Sequence, residues 1–244
     1  MGRVPSGAPL KIGVLSDAHG NPAGLDACLT FLHSVRVDQV IFLGDATGYM
    51  PEANRVLEEL RRCDAHCLLG NHDAMLLGTV PLPGQLDEVY KLRQTRELMH
   101  EEHTNELAGR MPWFEKHIEG RRMLFVHGSP WDPLTGYVYP DSELDTFGLL
   151  AFDAVFMGHT HRPFIRRLNA RTIINVGSCG LPRDRGDMAS CAVYDTANGH
   201  CEIIRRRFDA RAVAERYRDW IHDQVRQCLL RDSAQGVVGR IVER

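Results

Sequence analysis

The chain has 244 residues and a formal net charge of -3, with 43% hydrophobic and 25% charged residues. That length and apolar content support a buried core without disulfide or metal staples, and the slightly acidic balance excludes the basic footprint of a general nucleic-acid binder. No run approaches the ~18 apolar residues of a membrane span, and residues 1–9 lack the apolar centre of a signal peptide.

Residues 10–15 read as a short buried strand ending at Ser16-Asp17. Asn21-Pro22 opens a helix with Leu25, Leu29 and Leu32 at helical spacing. A second buried strand at 39–43 ends at Gly44-Asp45, a helix follows at 52–62, and a third strand at 65–69 ends at Gly70-Asn71-His72-Asp73. This alternation predicts βαβ units. Residues 78–84 hold two prolines and read as a loop. Residues 86–107 are polar and helical, as one helix or two, and form an insertion that either roofs a cleft or packs as a solvated helix.

Strands return as a hairpin over 113–118 and 123–126, turning at Glu119-Gly120 and ending at His127. A helix is expected within 141–152, then a buried strand at 154–157 before Gly158-His159-Thr160-His161. Two further hairpins turn at Asn169-Ala170 and Asn198-Gly199. An amphipathic helix is expected over 209–230, with Val213, Tyr217, Ile221 and Val225 inward. One domain at 10–231 between flexible tails at 1–9 and 232–244 is the simplest division. The seven cysteines contain no CxxC pair and read as reduced thiols in a cytoplasmic protein.

The chemistry lies at the strand ends. Of twelve histidines, seven (His33, His66, His100, His103, His117, His200 and His222) fall in helices, hairpins or mid-strand and read as structural. The other five, His19, His72, His127, His159 and His161, stand at glycine-marked strand ends together with Asp17, Asp45, Asn71 and Asp73. Carboxyl ends of strands are where α/β sheets place their sites. Carboxylate, imidazole and carboxamide without thiolate suit Mn²⁺, Fe²⁺, Co²⁺ or Zn²⁺. Seven ligands, Asp17, His19, Asp45, Asn71, His127, His159 and His161, exceed what one ion takes and fit two ions, about 3.5–4 Å apart, sharing a carboxylate.

The ordered blocks Asp17-x-His19, Gly44-Asp45, Gly70-Asn71-His72-Asp73, His127 and Gly158-His159-x-His161 resemble the calcineurin-like metallophosphoesterase superfamily. Gly44 to Tyr49, Val126 to Pro130, Asn175 to Ser178 and Pro182-Arg183-Asp184 resemble its small bacterial and archaeal phosphodiesterase-like branch. The resemblance implies a four-layer αββα sandwich of two mixed sheets flanked by helices. It also implies two divalent ions, manganese first and iron, zinc, cobalt, nickel or magnesium as alternatives. Asp17, His19 and His161 would bind one ion, Asn71, His127 and His159 the other, and Asp45 would bridge. His72 would be a catalytic donor, and Asp73 would hold the loop or orient a ligand. The protein phosphatases of the superfamily carry Asp-Arg-Gly where Gly48-Tyr49 stands and Glu where Asp73 stands, which disfavours that activity here.

The expected activity is hydrolysis of phosphodiester or phosphomonoester bonds in a small phosphoester or nucleotide by a metal-bridging hydroxide. A dinucleoside polyphosphate hydrolase and a non-catalytic scaffold of the same fold are the alternatives. Neither a membrane nor tight nucleic-acid binding is expected, and the oligomeric state is open. Asn21, Tyr49, Arg183 and Arg185 are further residues that could touch substrate.

Overall fold

Alternation along single strands sets the layers. In β1 (Lys11–Leu15), Ile12 and Val14 face one core and Leu15 another, while Gly13 leaves room for Leu32, whose side chain lies 2.8 Å from where a Cβ would stand. The same alternation recurs in β5 (Arg121–Val126), where Met123 and Phe125 face the opposite way from Leu124 and Val126. Each such strand is buried on both faces, as the middle of a sandwich requires.

The computed structural model describes residues 9–232 and 237–243. Its first sheet has the order β11 (Arg240–Val242), β10 (His200–Arg207), β9 (Met188–Asp195), β1, β2 (Gln39–Phe42), β3 (His66–Cys67). The β1–β2–β3 and β10–β11 pairings are parallel, and those of β9 with β1 and β10 are antiparallel. The second sheet has the order β4 (Trp113–Ile118), β5, β6 (Ala154–Met157), β8 (Arg171–Asn175), β7 (Phe164–Leu168), parallel at β5–β6–β8 and antiparallel at both edges. The inner faces of both sheets meet through Ile12, Val14, Ile41, Ile174 and the stacked rings of Phe114, Phe125 and Phe156 (centroids 4.9 and 4.8 Å apart).

On the outer face of the first sheet, α1 (Pro22–Ser34), α2 (Ala53–Arg62), α7 (Ala210–Arg216) and α8 (Asp223–Leu229) contribute Leu25, Leu32, Val56, Leu60, Val213 and Val225. The outer face of the second sheet is covered by the 128–153 segment through Val138, Leu144 and Phe147. There the helix expected within 141–152 is a 3-10 helix at Asp145–Leu149. Gly148 lies within it, and a glycine costs about 1 kcal/mol relative to alanine in an α-helix. The molecule is therefore two mixed sheets flanked by helices, with the fourth layer built largely of loop.

Other elements differ from expectation. The polar insertion is three short helices, α4 (Asp87–Tyr90), α5 (Leu92–Leu98) and α6 (Glu101–Ala108). Lys91 breaks the first junction with φ 58°. Asn54 of α2 clamps the second, donating to the Leu98 carbonyl (2.7 Å) and accepting from the His100 N–H (3.0 Å). The expected helix at 209–230 is interrupted between α7 and α8, where His222 accepts from the Gln224 N–H and caps α8. An additional helix, α3 (Asn71–Leu77), starts at the third strand end, and the strand itself pairs only at two residues. The expected loose tail contains β11, joined to β10 by pairing and by Arg240 to Glu202 (2.6 Å). The expected N-terminal tail, apart from Pro9, lies outside the described residues. No helix among the described residues is long and apolar enough to cross a membrane.

Candidate metal centre

Five chain segments converge at one end of the two sheets. The loop after β1 brings Asp17 and His19, and the loop after β2 brings Asp45. The first turn of α3 brings Asn71 and His72, His127 directly follows β5, and the loop after β6 brings His159 and His161. Asp17, His19, Asp45, His159 and His161 all lie in the left-handed region, with φ of 57°, 50°, 61°, 63° and 59°. Each such residue costs of order 1–3 kcal/mol, and such strain gathers at functional sites. Neighbouring loops brace one another: Asp17 N–H donates to Gly44 O, His19 N–H to Asp45 O and Gly158 N–H to His127 O, each at 3.0 Å.

Three imidazoles are oriented by main-chain carbonyls. Nδ1 of His19 donates to Thr47 O (2.9 Å), that of His127 to Leu43 O (2.9 Å) and that of His161 to Leu181 O (2.6 Å). A carbonyl only accepts, so the proton is on Nδ1 and each Nε2 presents a lone pair to the centre. Those lone pairs face other acceptors. His19 Nε2 stands 3.0 Å from His161 Nε2, His127 Nε2 stands 2.9 Å from Asn71 Oδ1, and Asp17 Oδ1 is 3.3 Å from His161 Nε2. Asp17 Oδ1 and His159 Nε2, both buried, have no hydrogen-bond partner. Acceptors turned on one another in a dry site are a misfit for the protein alone and a fit for cations.

Three donor groups lie within 4.8 Å internally: Asp17, His19 and His161; His19, Asp45 and His72; and Asp45, His127 and His159. Asp45 belongs to the last two, so one carboxylate reaches both sides of the cluster. Burial, then the charges of Asp17 and Asp73, pushes the Asp45 carboxyl well above the usual range. Burial also pushes Asp17 upward, but the imidazoles of His161, His127 and His19 outweigh it and hold that carboxyl below its ordinary value. His159 is pushed down to about 3, and His19 and His72 well below their ordinary value, by burial first and neighbouring imidazoles second. Neutral imidazoles and crowded carboxylates are the state that binds divalent ions.

His72 is placed by both its backbone and its ring. Its N–H donates to Asp45 Oδ1 (2.8 Å), and its ring packs against His19 (4.7 Å), Tyr49 (4.8 Å) and Tyr90 (4.3 Å). Gly48 makes room for it, since a Cβ there would lie 2.6 Å from His72 Nδ1 at a φ of 88°. Asp73, which follows His72 in α3, is fully buried and turns its side chain to the neighbouring main chain. Its carboxylate accepts from the N–H groups of Asp45, Ala46, Thr47 and Gly70 and from the Thr47 hydroxyl, which occupies both oxygens.

Of the further residues, Asn21 ties the Gly180 carbonyl at 2.7 Å, and Arg185 pairs with Asp187 at 2.9 Å. Tyr49 lies edge-on to His19 at 4.7 Å, and burial pushes its hydroxyl upward against the opposing charge of Arg183. Sequence reasoning missed Tyr90, which the insertion delivers to His72, and Tyr137, whose ring lies 4.1 Å from that of His159. Nothing local marks Tyr90. Tyr137 and Tyr139 flank Val138 in a period of two, a pattern that signals one shared face.

The sequence matches the calcineurin-like phosphoesterase superfamily domain over residues 10–199. It is 28% identical over 226 residues to an uncharacterized protein of Methanocaldococcus jannaschii, covering 84% of this chain and 90% of that one. It is 27% identical over 201 residues to a probable metallophosphoesterase of Methanothermobacter thermautotrophicus, covering 80% and 92%. Among solved structures, a metallophosphoesterase from Sphaerobacter thermophilus superposes with a TM-score of 0.76 at 25% identity, over 91% of this chain and 98% of that one. The domain match spans all five segments that build the centre, and the chain belongs to the calcineurin-like phosphoesterase superfamily.

Proposed function

We propose that the chain hydrolyses phosphodiester or phosphomonoester bonds with two divalent cations, manganese being the first choice. The single observation that carries this reading is the set of buried acceptors facing one another, His19 Nε2 against His161 Nε2 and His127 Nε2 against Asn71 Oδ1. Asp17, His19 and His161 would hold one cation, Asn71, His127 and His159 the other, and Asp45 both. When bound, such a pair neutralises phosphoryl oxygens and acidifies water for in-line attack.

The chain's own groups do the rest. The carbonyls of Thr47, Leu43 and Leu181 keep Nε2 of three imidazoles deprotonated and aimed inward. The Asp73 carboxylate fixes the Asp45–Thr47 backbone, and thereby the shared ligand. His72, held on Asp45 by its N–H and packed against Tyr49 and Tyr90, would give a hydrogen bond to the leaving oxygen or to the phosphoryl group.

The test is release of nitrophenol from bis(nitrophenyl) phosphate and from nitrophenyl phosphate. Activity should vanish after chelation and return with Mn²⁺. Turnover that is indifferent to chelation would refute the metal reading, and no turnover with any divalent ion would favour a scaffold.

A further inference from the structure

Beside the centre stands an aromatic surface that the proposed chemistry does not use. The 128–142 segment is tightly tied: Gly128 N–H donates to Pro133 O (2.7 Å), Gly136 N–H to Asp132 O (3.1 Å) and Tyr139 N–H to Ser142 Oγ (2.9 Å). Arg166 clamps its end, donating to the carbonyls of Pro140 and Ser142. Val138 is buried in the core beneath, so its neighbours Tyr137 and Tyr139 face outward. Their rings lie 9° from parallel with centroids 5.7 Å apart, and remain 54% and 37% exposed. Tyr137 also touches a residue of the centre, with its ring 4.1 Å from that of His159. The shelf is therefore rigid, solvent-facing and continuous with the place where a phosphoryl group would sit.

A cation lies on the same rim. Arg183 is fixed through its own N–H on His161 O (3.2 Å) and through the carbonyl that accepts from Arg231 (2.5 Å). The acids nearest in sequence are taken: Asp184 by the fully buried Arg205, and Asp187 by Arg185 and Arg207. Arg183 itself makes no ion pair among the described residues, and its charge opposes the rise that burial imposes on the hydroxyls of Tyr49 and Tyr137 beside the centre. A guanidinium without an ion pair, carried on a tied main chain beside a two-cation site, is suited to an anionic oxygen the metals do not reach.

Resting on the phosphoesterase reading above, we propose that the substrate is a nucleoside phosphate, with one phosphate at the centre, an outer phosphate oxygen on Arg183 and its base on the Tyr137–Tyr139 shelf. An acyl chain would need an enclosed apolar channel. A planar base needs only an aromatic face, and base–aromatic stacking tolerates an open site.

The experiment compares, on the Mn²⁺-loaded protein, calorimetric binding of two uncleavable phosphonates in which carbon replaces the ester oxygen. One is the analogue of adenosine 5′-monophosphate, and the other is the analogue of ribose 5-phosphate. The adenosine compound should bind about tenfold more tightly. Tyr137→Leu should erase that preference, Tyr137→Phe should keep it, and Arg183→Gln should weaken both ligands by a similar factor. Equal binding of the two compounds by the wild-type protein, or an unchanged preference in Tyr137→Leu, would overturn the proposal. Hydrolysis of bis(nitrophenyl) phosphate by the same preparation then separates the two failures. With hydrolysis intact, only the nucleoside assignment falls; with hydrolysis absent, the phosphoesterase reading falls with it.

Discussion

Asp73 and Gly48 act on the centre without offering it a ligand atom. Asp73→Asn puts an amide where a carboxylate accepts from four main-chain N–H groups and a hydroxyl. Losing charge-assisted bonds in a buried site costs about 2–4 kcal/mol, so the melting temperature should fall by roughly 5–10 °C in a chain of this size. An unchanged melting curve would refute the anchoring role. Gly48→Ala meets both a left-handed φ and the His72 ring. Since displacement of a catalytic group by an ångström can cost about a hundredfold, nitrophenyl ester turnover should fall by about that factor while metal uptake persists. Equal loss of metal would mean that the loop, not His72, is disturbed. At this scale the seven clustered acceptors were legible, because histidine, aspartate and asparagine beside glycine at strand ends are a narrow pattern. Tyr90 and Tyr137 were not, because aromatic residues occur throughout any core and only the tertiary fold brings these two to the centre.

Elements were legible where a single strand or helix decides its own fate. The strands with apolar runs, and α1 and α2, form nearly where periodicity puts them. Some misreadings have a local cause, as at Lys91 with its φ of 58°, and at the α5–α6 break a tertiary partner interrupts a locally acceptable helix. Asn54 is that partner, since its side chain satisfies Leu98 O, the His100 N–H and His103 Nδ1 where α5 ends and α6 begins. Asn54→Ala leaves these groups without a partner and should cost about 2–3 kcal/mol. Amide exchange should accelerate around 98–104 ahead of the rest of the molecule, and uniform exchange would contradict the clamp. The β11 pairing was equally invisible, because three residues of strand are recognised only against the β10 edge they meet.

For the whole molecule, the buried imidazoles make the metal-free protein acid-sensitive. His19, His72, His159 and His161 are all held below their ordinary value by burial first, His159 to about 3. For a histidine lowered on folding, the unfolded chain binds more protons between the folded and unfolded values, so stability falls as pH drops below about 6.5. Each such group contributes up to about 1.4 kcal/mol per pH unit in that window. Asp45, raised on folding, acts in the opposite sense and loses its contribution as pH rises, but it is one group against four. Denaturant midpoints of chelated protein should therefore fall steeply between pH 6.5 and 4, and a flat profile would contradict the buried neutral cluster. The two-sheet architecture was inferred from the family resemblance rather than from periodicity, which marks strands without saying which sheet each joins.

The most direct test is to count divalent ions. Metal-stripped protein titrated with Mn²⁺ in a calorimeter should take up two equivalents per chain, while Asp45→Asn, which weakens the carboxylate that belongs to two of the three donor groups and would bridge the ions, should lose tight uptake at both positions and more than about a hundredfold in activity. Wild-type protein that saturates at one equivalent or none, or Asp45→Asn that still binds two ions as tightly as wild type, would contradict the account.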